Sequence, residues 1–338
     1  MDGLVEDAEK LHQEVIIHLN QVRHDPATVL LDEELLRRAE RNTDRRTPRE
    51  ILWRLLSTGE DLLAVLQQDP RPLTKLLEQV VVSIPFDELK KHISAEKLEQ
   101  GLLSPSAPIQ LLVLAYLQKA ADLPSGAAFV ACSPTLTKVL TETWLSTTNT
   151  EVADKALDVL TALLTVDSPS TTTFVVAHEG SGEALGQGLL WRRLFEDSDI
   201  YILLYAWTSL TQSKHDISTK QGRQQVTISQ GRMFDFLARI ASVDWARITT
   251  SSILNVEKKY IKTSANEEPY GGLLRYAATD MIDLNDILMQ VLRQDFFMRL
   301  LGVVEENGRR GVSTQEFLAI QQAAGTTDSI NTEDGLHL

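Results

Sequence analysis

The stretch SPSAPIQLLVLAYLQKA, at positions 104–120, decides the fold because its pattern recurs twice further along the chain. The recurrences are TNTEVADKALDVLTALL at positions 148–164 and EDSDIYILLYAWTSL at positions 196–210. Each stretch has a polar or proline-containing turn, then a β-branched residue, then an apolar segment of helical composition. The β-branched residues that align are Ile109, Val152 and Ile200. Five positions after them stand the large residues Leu114, Leu157 and Tyr205.

The spacing of these stretches indicates the kind of repeat. The aligned positions are 43 residues apart (109 to 152) and 48 residues apart (152 to 200). Periods of about 40–47 residues are typical of solenoid repeats of two or three helices, and the longer second interval predicts a loop insertion. We therefore expect an all-α fold, a right-handed superhelix (α-solenoid) of HEAT/armadillo-like repeats. A single solenoid is expected over residues 1–324, followed by a polar, disordered tail at 325–338.

The composition agrees with a large helical protein. The chain has 338 residues, of which 43% are hydrophobic, 24% are charged and only 6% are aromatic. This length exceeds one ordinary hydrophobic core, so two domains or an extended repeat array are the alternatives. Helix-forming residues are abundant and long alternations of valine, isoleucine and threonine are scarce, which favours helices over sheets.

Helical periodicity and the positions of proline and glycine predict the other elements. Leu11, Val15 and Leu19 share one face of the first helix. Thr47 and Pro48 mark a helix start, with the threonine as its cap and the proline as its first residue. The first helix is predicted over 4–22. Further helices are predicted over 27–42, 69–81, 86–92, 94–103, 134–145, 169–178, 187–195, 230–242, 271–293, 295–306 and 313–323. Loops are predicted over 179–187, 213–229 and 262–270.

The net charge of −14 limits the partners that this chain can bind. An acidic surface repels phosphate groups, so we expect no binding to nucleic acid and none to membranes, whereas a basic protein surface is complementary. The acidic N-terminal sequence does not have the features of a signal peptide, and no apolar run is long enough to span a bilayer. The single cysteine, Cys132, follows an apolar run and is expected to be buried and inert. A cytoplasmic location is predicted, with the nucleus as an open alternative.

No pattern of catalytic or metal-binding residues stands out in the sequence. The glycine-rich stretch GSGEALG at 180–186 has neither the G-x-G-x-x-G spacing nor a P-loop lysine, so we interpret it as a loop. The seven histidines include no pair at the i, i+4 spacing that places two metal ligands on one helix face. The arginine-rich segment at 37–50 contains interleaved acidic residues and is predicted to be a solvated, ion-paired surface. We therefore assign no catalytic residue, no metal site and no cofactor, and we expect that the protein is not an enzyme.

The segment GLLWRRLFEDSDIY at 188–201 combines arginine with aromatic residues. Its large apolar residues are predicted to form the buried face of a helix. Arg192 and Arg193 point in neighbouring directions on that helix, so at least one of them is expected at the surface. Arginine beside aromatic residues is typical of the hot spots in protein–protein interfaces, so this segment is a candidate partner contact.

This segment, together with LLYAWTSL at 203–210, resembles the fungal members of a proteasome assembly chaperone family. The fungal protein was first named as a DNA mismatch-repair factor, and its animal counterpart is the non-ATPase regulatory subunit 5 of the 26S proteasome. The stretches at 104–120 and 152–164 fit the repeats of the same family, and the resemblance extends over about residues 5–320. It implies a curved solenoid that binds the C-terminal domain of one AAA ATPase subunit of the 19S regulatory particle base. Such a chaperone escorts that subunit during assembly and is absent from the mature proteasome.

The resemblance also implies where the partner binds. The contact face of the family is concave and is lined by the second helix of each repeat, here the helices predicted at 134–145, 169–178, 187–195 and 230–242. The residues expected to be exposed there and to contact the partner are Lys138, Glu142, Arg192, Arg193, Arg232, Asp235 and Arg239. The family has no catalytic motif that would carry over. We expect the chain to be a monomer.

Other functions of a helical-repeat protein stay open. The main alternative is a different HEAT/armadillo adaptor or scaffold, associated with transport or with DNA repair. Nuclear transport receptors hold basic peptides with regularly spaced tryptophan and asparagine residues, but the five tryptophans of this chain are irregularly spaced. A DNA-repair function that requires direct binding to DNA conflicts with the net charge of −14.

Overall fold

The computed structural model describes residues 2–169, 186–262 and 269–325. Every regular element in these ranges is a helix, which confirms the predicted all-α class. The chain divides into two units, one of residues Met1–Thr143 with Asn149–Val166, the other of residues Trp144–Thr148 with Asp167–Leu338. Within the described ranges, no helix combines the length and the apolar character that crossing a membrane requires.

The first unit contains the helices of the N-terminal half. They are α1 (Asp2–His24), α2 (Glu33–Asn42), α3 (Arg49–Leu63), α4 (Arg71–Ser83), α5 (Phe86–Leu89), α6 (Ala95–Leu102), α7 (Ala107–Ala120), α8 (Pro124–Ala131), α9 (Pro134–Ser146, whose last residues belong to the second unit) and α10 (Thr150–Asp167). Helix α1 packs on α3, α2 packs on α4, and α4 packs on α7. Leu11, Val15 and Leu19 are buried, as the periodicity of α1 predicts.

The second unit contains the helices that follow Asp167. They are α11 (Leu189–Glu196), α12 (Ser198–Ala206), α13 (Lys220–Ile240), α14 (Trp245–Thr249), α15 (Leu254–Tyr260), α16 (Gly272–Arg275), a π-helical turn (Tyr276–Asp280), α17 (Ile287–Glu306) and α18 (Thr314–Ala323). Helix α13 packs on α17, and α17 packs on α18. The aromatic rings of Phe234 and Phe296 stack at this contact, with 4.7 Å between their centroids.

The three aligned stretches form α7, α10 and α12 in the same register. Ile109, Val152 and Ile200 are each the third residue of their helix. Polar residues fix two of these starts, because Asn149 Oδ1 accepts a hydrogen bond from the backbone N–H of Val152 at 3.0 Å, and Asp197 caps α12 in the same way. The residues five positions later, Leu114, Leu157 and Tyr205, are all buried. The packed helices are consistent with an α-solenoid, while the right-handed superhelical arrangement of a single array stays a prediction.

One predicted cap and one predicted helix start of the first unit are wrong. Helix α3 begins at Arg49 with Pro48 as its cap, and Thr47 Oγ1 instead accepts a hydrogen bond from the N–H of Asp44 at 3.1 Å. Helix α2 begins at Glu33 rather than at residue 27, because Asp32 caps it by accepting from the N–H of Leu35 at 2.9 Å.

Two predicted elements of the second unit are also wrong. The stretch predicted as a loop at 213–229 is helical from Lys220, because Thr219 caps α13 by accepting from the N–H of Gly222 at 2.9 Å. The helix predicted over 271–293 is broken between the π-helical turn and α17. A new helix, α17, begins after Asp286, whose side chain accepts a hydrogen bond from the N–H of Leu288 at 2.9 Å. This cap favours a helix start over continuation of the preceding helix.

Asp167 connects the end of α10 to the start of α11. Its backbone carbonyl accepts from the N–H of Gly188 at 2.8 Å, and its side chain accepts from the N–H of Leu190 at 2.6 Å. The carboxylate is buried, and burial raises its pKa against the opposing effect of the hydrogen bonds from the start of α11. We call this arrangement the Asp167 clamp. The predicted helix at 169–178, most of the loops predicted at 179–187 and 262–270, and the predicted tail lie outside the described residues.

Cys132 lies just after the last residue of α8 and is exposed, so the expectation of a buried thiol is wrong. Its apolar neighbours Val130 and Ala131 are buried. The helix turns about 100° per residue, so the next side chain leaves the buried face.

Candidate partner-binding groove

A groove of about 490 Å³ crosses four helices of the first unit. Its lining comes from α2, α4, α7 and α10, which include two of the three helices that share the repeat register. The floor is apolar, with Val82 at 47% exposure and the mostly buried Leu111 and Ala115 beside it. An apolar floor between polar walls is the usual character of a surface that holds another molecule.

Charged side chains of α4 and α10 form the walls of this groove. Lys75 Nζ lies 3.5 Å from Glu78 Oε2 and 3.9 Å from Glu151 Oε1. Lys155 Nζ donates to Gln118 Oε1 at a distance of 3.4 Å. These distances are longer than the 2.7–2.9 Å of a strong charge-assisted hydrogen bond. The charged groups are therefore loosely held and retain capacity for stronger partners.

Glu78 is the least satisfied group in the groove. Its Oε1 is buried and has no hydrogen-bond partner among the described residues. Burial raises the pKa of this carboxyl group, and the neighbouring Lys75 opposes that effect only in part. A buried acceptor without a donor costs free energy, which a ligand recovers by supplying the donor. The groove is thus suited to a lysine, arginine or backbone N–H group from a bound polypeptide.

The residues that the resemblance implied as contacts occupy different environments. Arg192 is exposed on α11, which agrees with the expectation that at least one of the two adjacent arginines is at the surface. Arg239 is also exposed, on α13. Lys138 and Glu142 on α9 are only partly exposed, because the helix buries its neighbouring residues on both sides. A contact with a partner stays a prediction for all four.

The other three implied contacts are also only partly exposed, and each of them is held by another group of the chain. Arg232 is partly buried, because its Nη1 donates to the carbonyl oxygens of Trp144 at 3.1 Å and Thr147 at 2.9 Å, at the end of α9. Asp235 is partly buried and forms an ion pair with Arg299 of α17. Arg193 is partly buried, and its Nη1 lies 3.0 Å from Asp197 Oδ2. These three side chains therefore form hydrogen bonds and ion pairs within the second unit.

The aromatic residues at 188–201 belong to the core, as their helical spacing predicts. Trp191 and Phe195 are buried on α11 and stack with 5.5 Å between their ring centroids. Tyr201 is buried as well and donates a hydrogen bond to Glu257 Oε1 at 2.8 Å. These rings therefore stabilise the second unit and are not available to a partner.

The arginine-rich segment at 37–50 is exposed and ion-paired, as predicted. Arg37 Nη1 lies 2.7 Å from Glu34 Oε2, and Arg46 Nε lies 3.4 Å from Asp44 Oδ2. In the ranges that the structure describes, no three histidine, cysteine, aspartate or glutamate side chains are grouped closely enough to hold a metal ion.

Buried His12 is expected to make the stability of the first unit dependent on pH. It is 1% exposed, its Nε2 lies 3.0 Å from Thr43 Oγ1, and its Nδ1 has no hydrogen-bond partner in the described part of the chain. Burial lowers its pKa, so below about pH 6.5 the unfolded chain binds a proton that the folded chain does not. The free energy of unfolding should therefore decrease as the pH falls from 7.5 to 5.0, by at most about 1.4 kcal/mol per pH unit for this one proton.

Urea unfolding at both pH values checks this expectation. The variant His12→Gln should show a smaller loss of stability between pH 7.5 and 5.0 than the parent. Some dependence should remain, because burial and the nearby Arg232 also lower the pKa of His215. An unchanged pH dependence in His12→Gln would show that protonation of His12 does not lower the free energy of unfolding, which contradicts the prediction.

The groove lies on α2, α4, α7 and α10, whereas the resemblance implies a contact face on the helices predicted at 134–145, 169–178, 187–195 and 230–242, and that contact face stays a prediction. Gln118 of α7 and Lys155 of α10 gave no separate signal of the groove in the sequence, because both helices contain other polar residues. Comparison with family models and with curated proteins finds no match to this chain.

Proposed function

We propose that this chain is a non-catalytic helical-repeat protein that binds a folded partner protein through the groove of the first unit. The observation that carries the proposal is the groove itself, in which the loosely paired Lys75 and the incompletely paired Glu78 stand beside the apolar residues Val82, Leu111 and Ala115. A folded protein tolerates such a group where a partner completes its hydrogen bonding. The net charge of −14 adds a preference for a basic surface on that partner.

The client that we propose is the C-terminal domain of one AAA ATPase subunit of the proteasome regulatory particle base. The support for this client is the resemblance of the segments at 104–120 and 188–210 to the assembly chaperone family. The mechanism is reversible occlusion. The repeat protein covers a surface of the free subunit and blocks premature docking, and it leaves when the assembled ring offers a competing or clashing surface.

Calorimetric titration of the full chain against the isolated C-terminal domain of each proteasomal AAA subunit tests the client. We expect saturable binding to one domain and none to the others. Binding to none of them would remove the proteasomal client and leave a different HEAT/armadillo adaptor as the function. Equal binding to all of them would contradict an escort for a single subunit.

Variants of the groove test the site separately from the client. We expect Glu78→Ala to weaken binding by about tenfold, equivalent to about 1.4 kcal/mol, because a buried charge-assisted hydrogen bond is lost. The same change should leave the melting temperature unchanged or raise it, since the unpaired buried oxygen is costly in the free protein. Arg192→Ala and Arg239→Ala test the other contact face, which the resemblance implies, and affinities equal to that of the parent would remove these two residues from the contact. The reverse result, with loss of binding only in the arginine variants, would place the contact on α11 and α13.

A further inference from the structure

Helix α17 exposes an apolar stripe that nothing in the proposed function uses. The stripe consists of Leu284, in the turn before α17, and of Ile287, Leu288, Val291 and Met298 on the helix. Their exposed fractions are 46%, 77%, 58%, 56% and 46% in that order. Isolated exposed apolar residues are ordinary, but a contiguous set of this kind marks an interaction surface.

The stripe is a defined face of a firmly anchored helix. At about 100° per residue, its helical members Ile287, Leu288, Val291 and Met298 lie on one side of α17 and extend over about three turns, on the order of 16 Å at 1.5 Å per residue. The opposite face of α17 packs into the second unit, where Phe296, Phe297 and Leu300 are all fully buried. The exposed face is therefore presented by rigid backbone, which lowers the entropic cost of docking.

The charges around the stripe are predominantly negative. Asp283 and Asp286 are exposed at its N-terminal end. The positive charges of α17 are committed within the protein. Arg293 Nε donates to the carbonyl oxygen of Ala278 at 2.8 Å, and Arg299 is shared between Asp235 and Asp295. A docking molecule thus meets an apolar surface with an acidic edge.

This charge pattern selects among the molecules that can cover the stripe. A second copy of the chain would bring acidic edge against acidic edge and would add its own net charge of −14. The residues after Gly325 include Asp328, Glu333 and Asp334, so they are acidic as well. An anionic membrane surface is repelled for the same reason. A basic partner is the occupant that complements the edge.

We propose that the stripe on α17 docks an amphipathic helix of another protein, with lysine or arginine residues on both sides of its apolar face. Apolar anchors of that helix at the i, i+3, i+4 and i+7 positions pack on Ile287, Leu288 and Val291, as the side chains of two packed helices do. Its basic residues lie against Asp283 and Asp286. The site is on the second unit, so it does not depend on the groove of the first unit.

Fluorescence anisotropy with two synthetic helical peptides tests this proposal on the full chain. Both 18-residue probes carry leucine at the i, i+3, i+4 and i+7 positions, and the remaining positions are lysine in one and glutamate in the other. We expect saturable binding of the leucine–lysine peptide alone, weakened as salt is raised because the acidic edge is exposed. Absence of binding, or equal binding of the glutamate peptide, would overturn the proposal.

Matched variants locate the binding on the protein. The double variant Ile287→Ser/Val291→Ser changes only exposed side chains, so it should fold as the parent does, and it should bind the leucine–lysine peptide at least about tenfold more weakly. The control Leu103→Ser removes a residue that is 63% exposed elsewhere on the chain, and its affinity should equal that of the parent. Equal affinity of the double variant and the parent would overturn the site.

Sedimentation velocity and a vesicle assay separate the other occupants. A dimer of the parent that becomes monomeric in the Ile287→Ser/Val291→Ser variant would assign the stripe to a second copy and overturn the proposal. Co-sedimentation of the parent, but not of this variant, with phosphatidylcholine vesicles would assign it to a lipid surface and would also overturn it. We expect a monomer in the first assay and no vesicle binding in the second.

Discussion

Replacing Gly126 by alanine is expected to destabilise the first unit by about 3 kcal/mol, the upper part of the usual cost of overpacking. A Cβ atom at this position of α8 would lie 2.0 Å from the carbonyl oxygen of Ala120 and 2.7 Å from its carbonyl carbon. Both atoms belong to the backbone at the end of α7, so no side-chain rotation relieves the clash. The backbone between α7 and α8 must therefore shift, and this shift displaces the apolar segment 111–117 of α7.

Urea unfolding of matched glycine variants measures this effect. Gly231→Ala is the control, because no described atom lies within 4 Å of the added Cβ on helix α13. That variant should be more stable than the parent by about 0.5–1 kcal/mol, since alanine is the better helix former. Similar stabilities for the two variants would show that the close approach of α8 to Ala120 is not maintained in solution.

The Asp167→Ala variant should lose about 2 kcal/mol of stability, at the high end of the cost of losing a helix cap. The change removes the acceptor for the N–H of Leu190 and leaves the start of α11 without a partner in a buried position. Asp167→Asn keeps one side-chain oxygen and should lose less than the alanine variant. Both values come from chemical unfolding at neutral pH.

Asp154→Ala serves as the control for the Asp167 variants. Asp154 belongs to the same helix, α10, but its side chain is exposed, so the change should alter stability by no more than about 0.5 kcal/mol. Equal losses in Asp154→Ala and Asp167→Ala would mean that the clamp contributes nothing beyond the helix propensity of its residue.

Local signals in the sequence predict much of this fold. The starts of α7, α10 and α12 follow from turn residues and from the period of the repeat, and both are properties of short segments. The break before α17 was missed because apolar periodicity continues through residues 281–291, while Asp283 and Asp286 favour a turn and a cap. Here the cap at Asp286 overrides the apolar periodicity, and the sequence alone does not rank these two local preferences.

The candidate site was harder to predict because it depends on residues that are distant in the chain. Lys75 and Glu151 meet across the groove only because α4, α7 and α10 lie side by side. Arginine is a common residue in protein contacts, but the guanidinium of Arg232 donates hydrogen bonds to carbonyl oxygens at the end of α9. A sequence shows that a charge exists, whereas the neighbours that satisfy it appear only after folding.

The Asp167 clamp has a consequence for how this protein tolerates change in length. The hydrogen bonds of Asp167 to Gly188 and Leu190 hold the end of α10 next to the start of α11. The register of α11 therefore does not depend on the number of residues between Asp167 and Gly188. The cost of closing a longer connection grows slowly, by about 0.6 kcal/mol for each doubling of its length. We therefore expect insertions or deletions between these positions to leave the start of α11 in place, which is compatible with a repeat interval of 48 rather than 43 residues. The same freedom makes this connection the natural place for an engineered affinity tag or reporter.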